Sequence, residues 1–304
     1  MSFDQPNYDR NERRIGSGGG IGGGLLRMLF RSPRILGALA VIVIGLITYY
    51  SQTEKVYNPV TGKEVRVMSA LTPKEEVALG LASVPEMTQH FGGELGDPVQ
   101  ERRINLIASR LLAAKDDMLK QRKIDYFNYP FQFRILRDNQ TINAFALPGG
   151  PIFITQALLR KLPSDDAVAG VMGHEIGHVL ARHSNQQMAE NSLLQSYAQA
   201  AAVVASGDGR GGGQAVGQFV GQLLQTSYGR DAETESDRIG VQLLILAGYE
   251  PEALLVVMDV LAEASKGSPR SPEWLSSHPN PPNRKTDIKE FIKFFREDKY
   301  GVWK

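Results

Sequence analysis

A segment in the middle of the chain, GHEIGHVLARH at residues 173–183, contains three of the five histidines in the sequence. His174 and His178 are four residues apart, so a helix would place both imidazoles on one face, within reach of one metal ion. Zinc held by three protein ligands keeps a water in its open position and lowers the pKa of that water to about 7. Glu175 would lie beside the ion, where its carboxylate can accept a proton as the water attacks a carbonyl. The spacing therefore predicts a hydrolytic zinc site with Glu175 as the general base.

The third histidine of this segment, His183, lies outside the predicted site. It follows His174 by nine residues, and on a continuous helix, at about 100° per residue, it would lie on the opposite side. Zinc peptidases that use a third histidine of the same segment have a glycine before it, which lets the chain turn. Ala181 stands at the position of that glycine. We therefore expect His183 to be an ordinary surface residue.

A third ligand has to come from another His, Asp or Glu, because the chain contains no cysteine. That absence also excludes disulfides and a cysteine nucleophile. The best candidate segment is RDAETESDRIG at residues 230–240, in which Glu233 and Asp237 share a face of a predicted helix. Glu233 could bind the metal while Asp237 hydrogen-bonds a ligand imidazole; a solvated acidic helix start is the alternative. Glu235 points in another direction and is predicted to be solvated.

The segments that surround these residues predict an α+β domain that is mostly helical. Hydrophobic periodicity and capping residues predict the helices, and short runs of β-forming residues predict strands in a small antiparallel sheet. The predicted helices run from Thr72 towards His90, after Pro98, from Ser164 to about Met188, from Arg230 to Ala247, after Pro251 and up to Arg296; the predicted strands are residues 131–138, 142–147 and 151–155. The pieces that flank a glycine-rich stretch at 207–213 are predicted to form a helical hairpin on the core.

The first fifty residues differ in composition from this domain. Residues 1–34 combine arginines with a glycine run and predict a flexible cytoplasmic tail. Residues 35–50 carry no charge, and their length is slightly below the roughly 17–25 residues of a membrane-spanning helix. No small-residue cleavage site follows, so a retained transmembrane signal anchor is favoured over a cleaved signal peptide or a buried helix. The arginines before the anchor place the N-terminus in the cytoplasm. Residues 51–70 would link the anchor to a domain at 71–304.

Four motifs occur in the same order as in the M48 metallopeptidases, and most of the chain after the anchor resembles that family. The motifs are NAFALPGG at 143–150, HEIGH at 174–178, the pattern E-x-E-x-D at 233–237 and SSHPNPPNR at 276–284. The resemblance implies a zincin-like metallopeptidase domain with one Zn2+ per chain, bound by His174, His178 and Glu233. It also implies that Glu175 is the general base and that Asp237 hydrogen-bonds a ligand histidine.

Two further residues have predicted roles beside the zinc site. Asn143 lies in a strand whose edge could bind an extended peptide substrate through main-chain hydrogen bonds; a simple core hairpin is the alternative. His278 lies in a loop restrained by prolines and belongs to a motif of the family that the chain resembles. It could bind zinc as a fourth ligand in a resting state or stabilise the developing oxyanion; a structural histidine is the alternative.

These observations predict a membrane-anchored zinc metalloendopeptidase of the cell (inner) membrane, with its catalytic domain on the extracytoplasmic side. The predicted partners are polypeptide substrates and, through the anchor, membrane lipid. Misfolded or damaged envelope proteins are substrates that only the resemblance implies. A net charge of +1, with acids and bases interspersed, provides no positive field for nucleic acid. The alternative function is a latent or non-catalytic, chaperone-like zinc-binding module. The intact Glu175 argues against that alternative, because a structural site needs no base.

Overall fold

The structure is a computed structural model that describes residues 33–192, 227–266, 272–279 and 283–301. The predicted tail, up to residue 32, and the predicted helical hairpin around residues 207–213 lie outside these ranges. Within them the chain is mostly helical with small β-sheets. The predicted fold class is therefore confirmed.

In the described ranges, all strands lie between residues 53 and 155, and helices alone follow them. The helices are α1 (Pro33–Gln52), α2 (Pro73–His90), α3 (Pro98–Gln121), α4 (Gln156–Leu159), α5 (Asp165–Ala181), α6 (Arg230–Ala247), α7 (Ala253–Ser265), α8 (Glu273–Ser277) and α9 (Arg284–Glu297). The strands are β1 (Thr53–Asn58), β2 (Lys63–Met68), β3 (Gln132–Leu136), β4 (Ala144–Ala146) and β5 (Pro151–Thr155).

Several helix ends lie where the sequence predicts them, because side chains and glycine satisfy the terminal backbone groups. At the start of α3, the Asp97 carboxylate accepts hydrogen bonds from two backbone N–H groups. At the start of α5, the Ser164 hydroxyl accepts one from the backbone of Ala167. Helix α6 ends at Gly248, whose φ of 73° is the left-handed conformation common after the last helical turn.

The main sheet is mixed, where the sequence predicts an antiparallel one, and its strand order is β3, β5, β4. Strand β4 pairs antiparallel with β5 because the turn at residues 148–150 reverses the chain between them, whereas β3 pairs parallel with β5 on the other side. Every residue of β5 is buried, as expected for the central strand. The sequence pattern marks the strands but does not reveal which edge of β5 each neighbour takes.

Most of the predicted linker at residues 51–70 forms an antiparallel hairpin of β1 and β2. Asn58 closes its turn, because the side-chain carbonyl accepts backbone hydrogen bonds from Val60 at 2.9 Å and Thr61 at 3.3 Å. The amide group of Asn58 also donates to the carbonyl of Leu180, in the last turn of α5, at 2.9 Å. Turn residues alone indicate a loop. Here the hydrogen bond from Asn58 to Leu180 also holds the hairpin against α5, the helix that carries HEIGH.

Helix α5 ends at Ala181, before the predicted end near Met188. The cause is Arg182, which has a left-handed backbone conformation with φ of 61°, uncommon for a residue with a side chain. Its guanidinium donates to Glu76 at 3.0 Å and to a backbone carbonyl at 2.7 Å, which holds the residue in place. A second helical segment begins at His183, so His183 does not lie on the face that a continuous helix would give it.

The predicted transmembrane anchor, residues 35–50, lies within α1. In the part of the chain that the structure describes, none of the helices is both long enough and apolar enough to span a membrane. The uncharged run of α1 is shorter than the roughly 20 residues that cross the hydrocarbon core. The predicted anchor is therefore not confirmed.

Helices α5 and α6 are in close contact through small residues. A Cβ added at Gly177 would lie 2.7 Å from Ser236 Oγ, and one added at Gly240 would lie 3.1 Å from the backbone nitrogen of His174. The Ser236 hydroxyl donates a hydrogen bond to the carbonyl of His174 at 2.5 Å. The absent side chains let the helix with HEIGH approach the helix with E-x-E-x-D.

We expect Gly177→Ala to destabilise the fold, by about 1–3 kcal/mol as other overpacked sites do, because the new methyl group would clash with Ser236. Thermal unfolding of the metal-free protein measures the effect. Gly170→Ala is the matched control on the same helix, because a Cβ at Gly170 has its nearest neighbours at an ordinary 3.6 Å. Equal unfolding temperatures of the two variants would contradict the close packing of α5 and α6.

Candidate metal centre

Four buried side chains meet at one point: His174 and His178 of α5, Glu233 of α6, and His278, the residue after α8. One nitrogen or oxygen atom from each lies within 4.8 Å of those of the others. His174 Nε2 lies 3.0 Å from His178 Nε2 and 3.3 Å from His278 Nδ1. Glu233 Oε1 lies 3.4 Å from His178 Nε2 and 2.8 Å from His278 Nδ1. The structure thus brings together the three residues that the sequence proposes as ligands and His278, which the sequence proposes as a possible fourth.

The separations between these atoms fit a tetrahedral metal ion. Zinc binds imidazole nitrogen and carboxylate oxygen at about 2.0–2.1 Å, so the donor atoms around it lie about 3.3 Å apart. The four distances above run from 2.8 to 3.4 Å, and all four donor atoms lie within 4.8 Å of one another. Three imidazoles and one carboxylate suit zinc and several other divalent transition metals. The described residues therefore form a site that could hold a metal ion.

The electrostatics of Glu233 and His178 favour the protonation states that bind metal. Burial alone would raise the pKa of Glu233, but His278, His178 and His174 hold it well below its ordinary value. Burial lowers the pKa of His178 well below its usual value. Burial alone would also lower the pKa of His278, but the Glu233 and Glu175 carboxylates raise it above its usual value. An ionised carboxylate next to a neutral His178 is the combination that a metal requires.

The outer nitrogen of His174 faces Asp237, with 2.9 Å between Nδ1 and Oδ1. Arg284 donates two hydrogen bonds to Asp237, at 2.6 and 2.9 Å, and its third nitrogen lies 2.7 Å from Glu233 Oε2. Burial would raise the pKa of Asp237, but Arg284 holds it below its usual value. Because an ionised carboxylate only accepts hydrogen bonds, Nδ1 of His174 donates and Nε2 keeps its lone pair for a metal. Asp237 thus lies where the sequence expects it.

Glu175 lies beside the cluster. Its Oε1 is 3.5 Å from His278 Nε2 and accepts a hydrogen bond of 3.4 Å from the indole N–H of Trp274. The other oxygen, Oε2, is buried and has no hydrogen-bond partner among the described residues. The Trp274 ring also stacks on His278, with centroids 4.7 Å apart. One carboxylate oxygen is therefore held, while the other is available to a substrate or a water.

The expectation that His183 is a surface residue is wrong, because its exposed fraction is 2%. The backbone break at Arg182 turns the histidine back towards α5, where its Nδ1 lies 2.9 Å from His178 Nδ1. His183 Nε2 lies 3.2 Å from Glu235 Oε2. Glu235, predicted to be solvated, is therefore also buried, with 7% exposed.

Asn143 lies next to β4, which is an edge of the main sheet. Its amide donates to Glu273 Oε1 at 3.1 Å, and the neighbouring carbonyl of Ile142 accepts a hydrogen bond of 3.1 Å from the backbone of Trp274. The cavity that remains between β4 and His278 has a volume of about 30 Å³. That volume holds about one water, whereas ligand sites usually measure about 300–1,000 Å³. Helix α8 therefore lies against the chain just before β4, and the described residues leave little space between β4 and His278.

Sequence reasoning missed Arg284 and Trp274 as members of the site. Arg284 belongs to SSHPNPPNR, so the motif marked its segment, but only the fold shows that the guanidinium reaches two carboxylates. Trp274 lies outside all four motifs, and no spacing links it to Glu175. A contact between residues 99 positions apart has no local signal in the sequence.

Residues 101–292, which include every residue of the cluster, match the profile of peptidase family M48. A beta-barrel assembly-enhancing protease of Yersinia pestis is 30% identical over 230 residues, which are 73% of this chain and 44% of the relative. The protein of that name in Escherichia coli is 30% identical over 204 residues, 64% of this chain and 39% of the relative. The mitochondrial metalloendopeptidase OMA1 of Schizosaccharomyces pombe is 31% identical over 164 residues, 53% of this chain and 47% of the relative. The chain thus spans less than half the length of these relatives.

We expect Glu233→Ala to lose its metal and His278→Ala to keep it, because two histidines and a carboxylate suffice when a water takes the fourth position. Loss of Glu233 should weaken metal binding by more than roughly 10–100-fold, which is the usual effect of losing a residue that only hydrogen-bonds a ligand. Elemental analysis after dialysis gives the metal content per chain. Asp231→Ala is the control, because Asp231 is exposed on the same helix. Equal metal content in Glu233→Ala and Asp231→Ala would rule out the site as described.

Proposed function

The chain belongs to peptidase family M48, and from that membership we propose that it is a zinc-dependent metalloendopeptidase that hydrolyses peptide bonds. The observation that carries the proposal is the buried cluster of His174, His178 and Glu233 with Glu175 beside it. In this proposal the first three residues bind one Zn2+, and Glu175 is the general base.

A bound zinc ion would polarise the scissile carbonyl and lower the pKa of a water at the site. The residues of the chain supply the proton transfers. Trp274 donates to Oε1 of Glu175, which leaves Oε2 free to accept a proton from the water that attacks the carbonyl carbon. The same carboxyl group then donates that proton to the amine nitrogen as the carbon–nitrogen bond breaks. Asp237 keeps the ring of His174 in its orientation throughout.

The substrate in this proposal is an extended peptide that lies along the edge of β4. The position of β4 at the edge of the main sheet supports this, because an edge strand offers main-chain donors and acceptors. The side-chain oxygen of Asn143 is buried without a hydrogen-bond partner in the described chain, which leaves it an acceptor for a substrate N–H.

A latent state is the second candidate, and the closed site favours it. With His278 beside His174 and Glu233, four protein donors surround the metal position, as in sites that have no catalytic water. The cavity of about 30 Å³ leaves no room for a peptide. We therefore propose that the described conformation is a resting state, in which His278 is the fourth ligand and α8 covers β4. Activity then requires α8 and His278 to move together away from β4.

The cellular setting is proposed from the relatives and from α1. Beta-barrel assembly-enhancing proteases are among the relatives, which supports misfolded or damaged envelope proteins as substrates. Large apolar side chains of α1 are exposed, among them Val43, Ile44 and Ile47. Their exposure supports membrane attachment through α1, with the metallopeptidase domain on the extracytoplasmic side.

We expect Glu175→Gln to bind zinc as the parent does and to cleave casein about 10²–10⁴-fold more slowly, which is the usual contribution of a general base. The amide keeps the shape of the side chain but cannot accept the proton. Initial rates of casein cleavage by the full chain measure the effect, with the exposed Glu190→Gln as the control. Unchanged cleavage by a zinc-loaded Glu175→Gln protein would refute the mechanism.

We expect Glu273→Ala to raise the rate of casein cleavage, because it removes a hydrogen bond that ties α8 to Asn143. Such a bond contributes about 0.5–1.5 kcal/mol, which corresponds to roughly a two- to tenfold larger open population. Glu273→Gln is the matched control, since its amide oxygen still accepts the bond from Asn143. If the two variants cleave casein at the same rate, the resting-state proposal is wrong.

A further inference from the structure

We propose that Glu235, acting through His183, fixes which ring nitrogen of His178 carries its proton; these two residues and Lys63, the surface partner of Glu235, are here called the outer relay. Glu235 and His183 would act as positioning residues for this ligand. The inference deepens the proposed function and rests on it, because it concerns His178 as a ligand of the metal.

The outer relay runs from the metal centre to the protein surface in three contacts. His178 Nδ1 lies 2.9 Å from His183 Nδ1, and His183 Nε2 lies 3.2 Å from Glu235 Oε2. Glu235 Oε1 lies 2.5 Å from Lys63 Nζ. Both histidines are at most 2% exposed, whereas the Lys63 side chain is 58% exposed on β2. The outer end of the relay opens onto a surface cavity of about 660 Å³.

The direction of each hydrogen bond follows from the outer end. A lysine ammonium only donates and an ionised carboxylate only accepts, so Glu235 accepts from both of its partners. His183 Nε2 therefore donates. A neutral imidazole has one donor and one acceptor, so His183 Nδ1 accepts and His178 Nδ1 must donate to it. His178 Nε2 is then left with a lone pair, on the side that faces Glu233.

His183, the immediate neighbour of His178, does not by itself decide which of the two Nδ1 atoms donates the hydrogen bond. His174 faces the carboxylate of Asp237, which can only accept, so its tautomer is set in one step. His178 faces another imidazole, which can donate or accept with equal ease. The reverse arrangement would protonate His178 Nε2 and abolish it as a ligand. The direction is thus set by Glu235, whose other oxygen accepts from Lys63 of a hairpin that precedes the residues matching the family.

The substitution Glu235→Gln separates this role from simple packing. An amide has one oxygen and one NH2 group, and the oxygen must face Lys63, which offers only donors. The NH2 group then faces His183 Nε2, which has to accept. His183 Nδ1 would consequently donate to His178, whose proton would move to Nε2. We expect the zinc affinity to fall about 10–100-fold, as for loss of other outer partners of ligand histidines.

The substitution Lys63→Met should leave the zinc affinity unchanged in the parent and raise it in Glu235→Gln. In the parent, Glu235 still accepts from His183, so the zinc affinity should stay within about threefold, as for an ordinary surface change. In Glu235→Gln, loss of the lysine frees the amide to rotate its oxygen towards His183, and most of the lost affinity should return. Residues that only support the fold would not restore binding when a second partner is removed.

The measurement is the zinc dissociation constant of the full chain, by competition with a chromophoric chelator. Lys55→Met is the matched control, because Lys55 is an exposed lysine of the same hairpin whose partner is Glu64. Thermal unfolding of each metal-free variant gives its stability independently of zinc. Parent-like affinity in Glu235→Gln would overturn the proposal. A Lys63→Met/Glu235→Gln double variant that binds zinc no more tightly than Glu235→Gln alone would also overturn the proposal. This holds whether or not metal-free Glu235→Gln is less stable than the parent.

The outcomes separate this inference from the proposed function, because zinc affinity is measured without any cleavage. If the parent binds zinc but does not cleave casein, the endopeptidase function fails, while the affinities still decide the outer relay. If the parent cleaves casein and Glu235→Gln binds zinc as tightly as the parent, the function stands and the outer relay is refuted.

Discussion

Helices α5 and α6 approach each other so closely that a Cβ at Gly177 would lie 2.9 Å from the backbone of Ser236. The rest of the site depends on this contact, because α5 carries both candidate histidine ligands and α6 carries Glu233 and Asp237. Metal sites tolerate deviations of only about 0.2 Å in the distances to their ligands. A side chain between the helices would displace the carboxylates by more than that. The absence of side chains at Gly177 and Gly240 is thus a requirement of the chemistry as well as of the packing.

Each candidate ligand ring of α5 contacts a different chain of side chains at its outer nitrogen. The ring of His174 is fixed by Asp237, and Asp237 by Arg284 at the start of α9. The ring of His178 contacts His183, whose partner Glu235 meets Lys63 of the β1–β2 hairpin. The hairpin and the last helix therefore do more than cover the core. Both place a charged side chain one or two side chains away from a candidate ligand ring.

The sequence predicts the parts of this site that follow from local periodicity. Two residues four positions apart share a helix face, so the pairing of His174 with His178 and of Glu233 with Asp237 needs no knowledge of the fold. The family resemblance then brings the two helices together. The expected surface position of His183 is wrong because periodicity assumes a continuous helix, whereas Arg182 is held in a left-handed conformation by Glu76, 106 residues earlier. Contacts of that range, like the pairing of β3 with β5, leave no local pattern.

The charge of the buried groups explains why a divalent cation suits this fold. Glu175, Glu233 and Asp237 are three acidic side chains with at most 1% exposed, and Arg284 is the buried guanidinium among them. Their formal charges leave an excess of two negative charges among buried side chains. Taking a charged group out of water costs several kcal/mol, and only a close partner offsets it. Arg284 is such a partner for Asp237 and for one oxygen of Glu233. A divalent cation between the imidazoles and Glu233 would balance the remainder, so metal binding and stability of the folded site should be coupled.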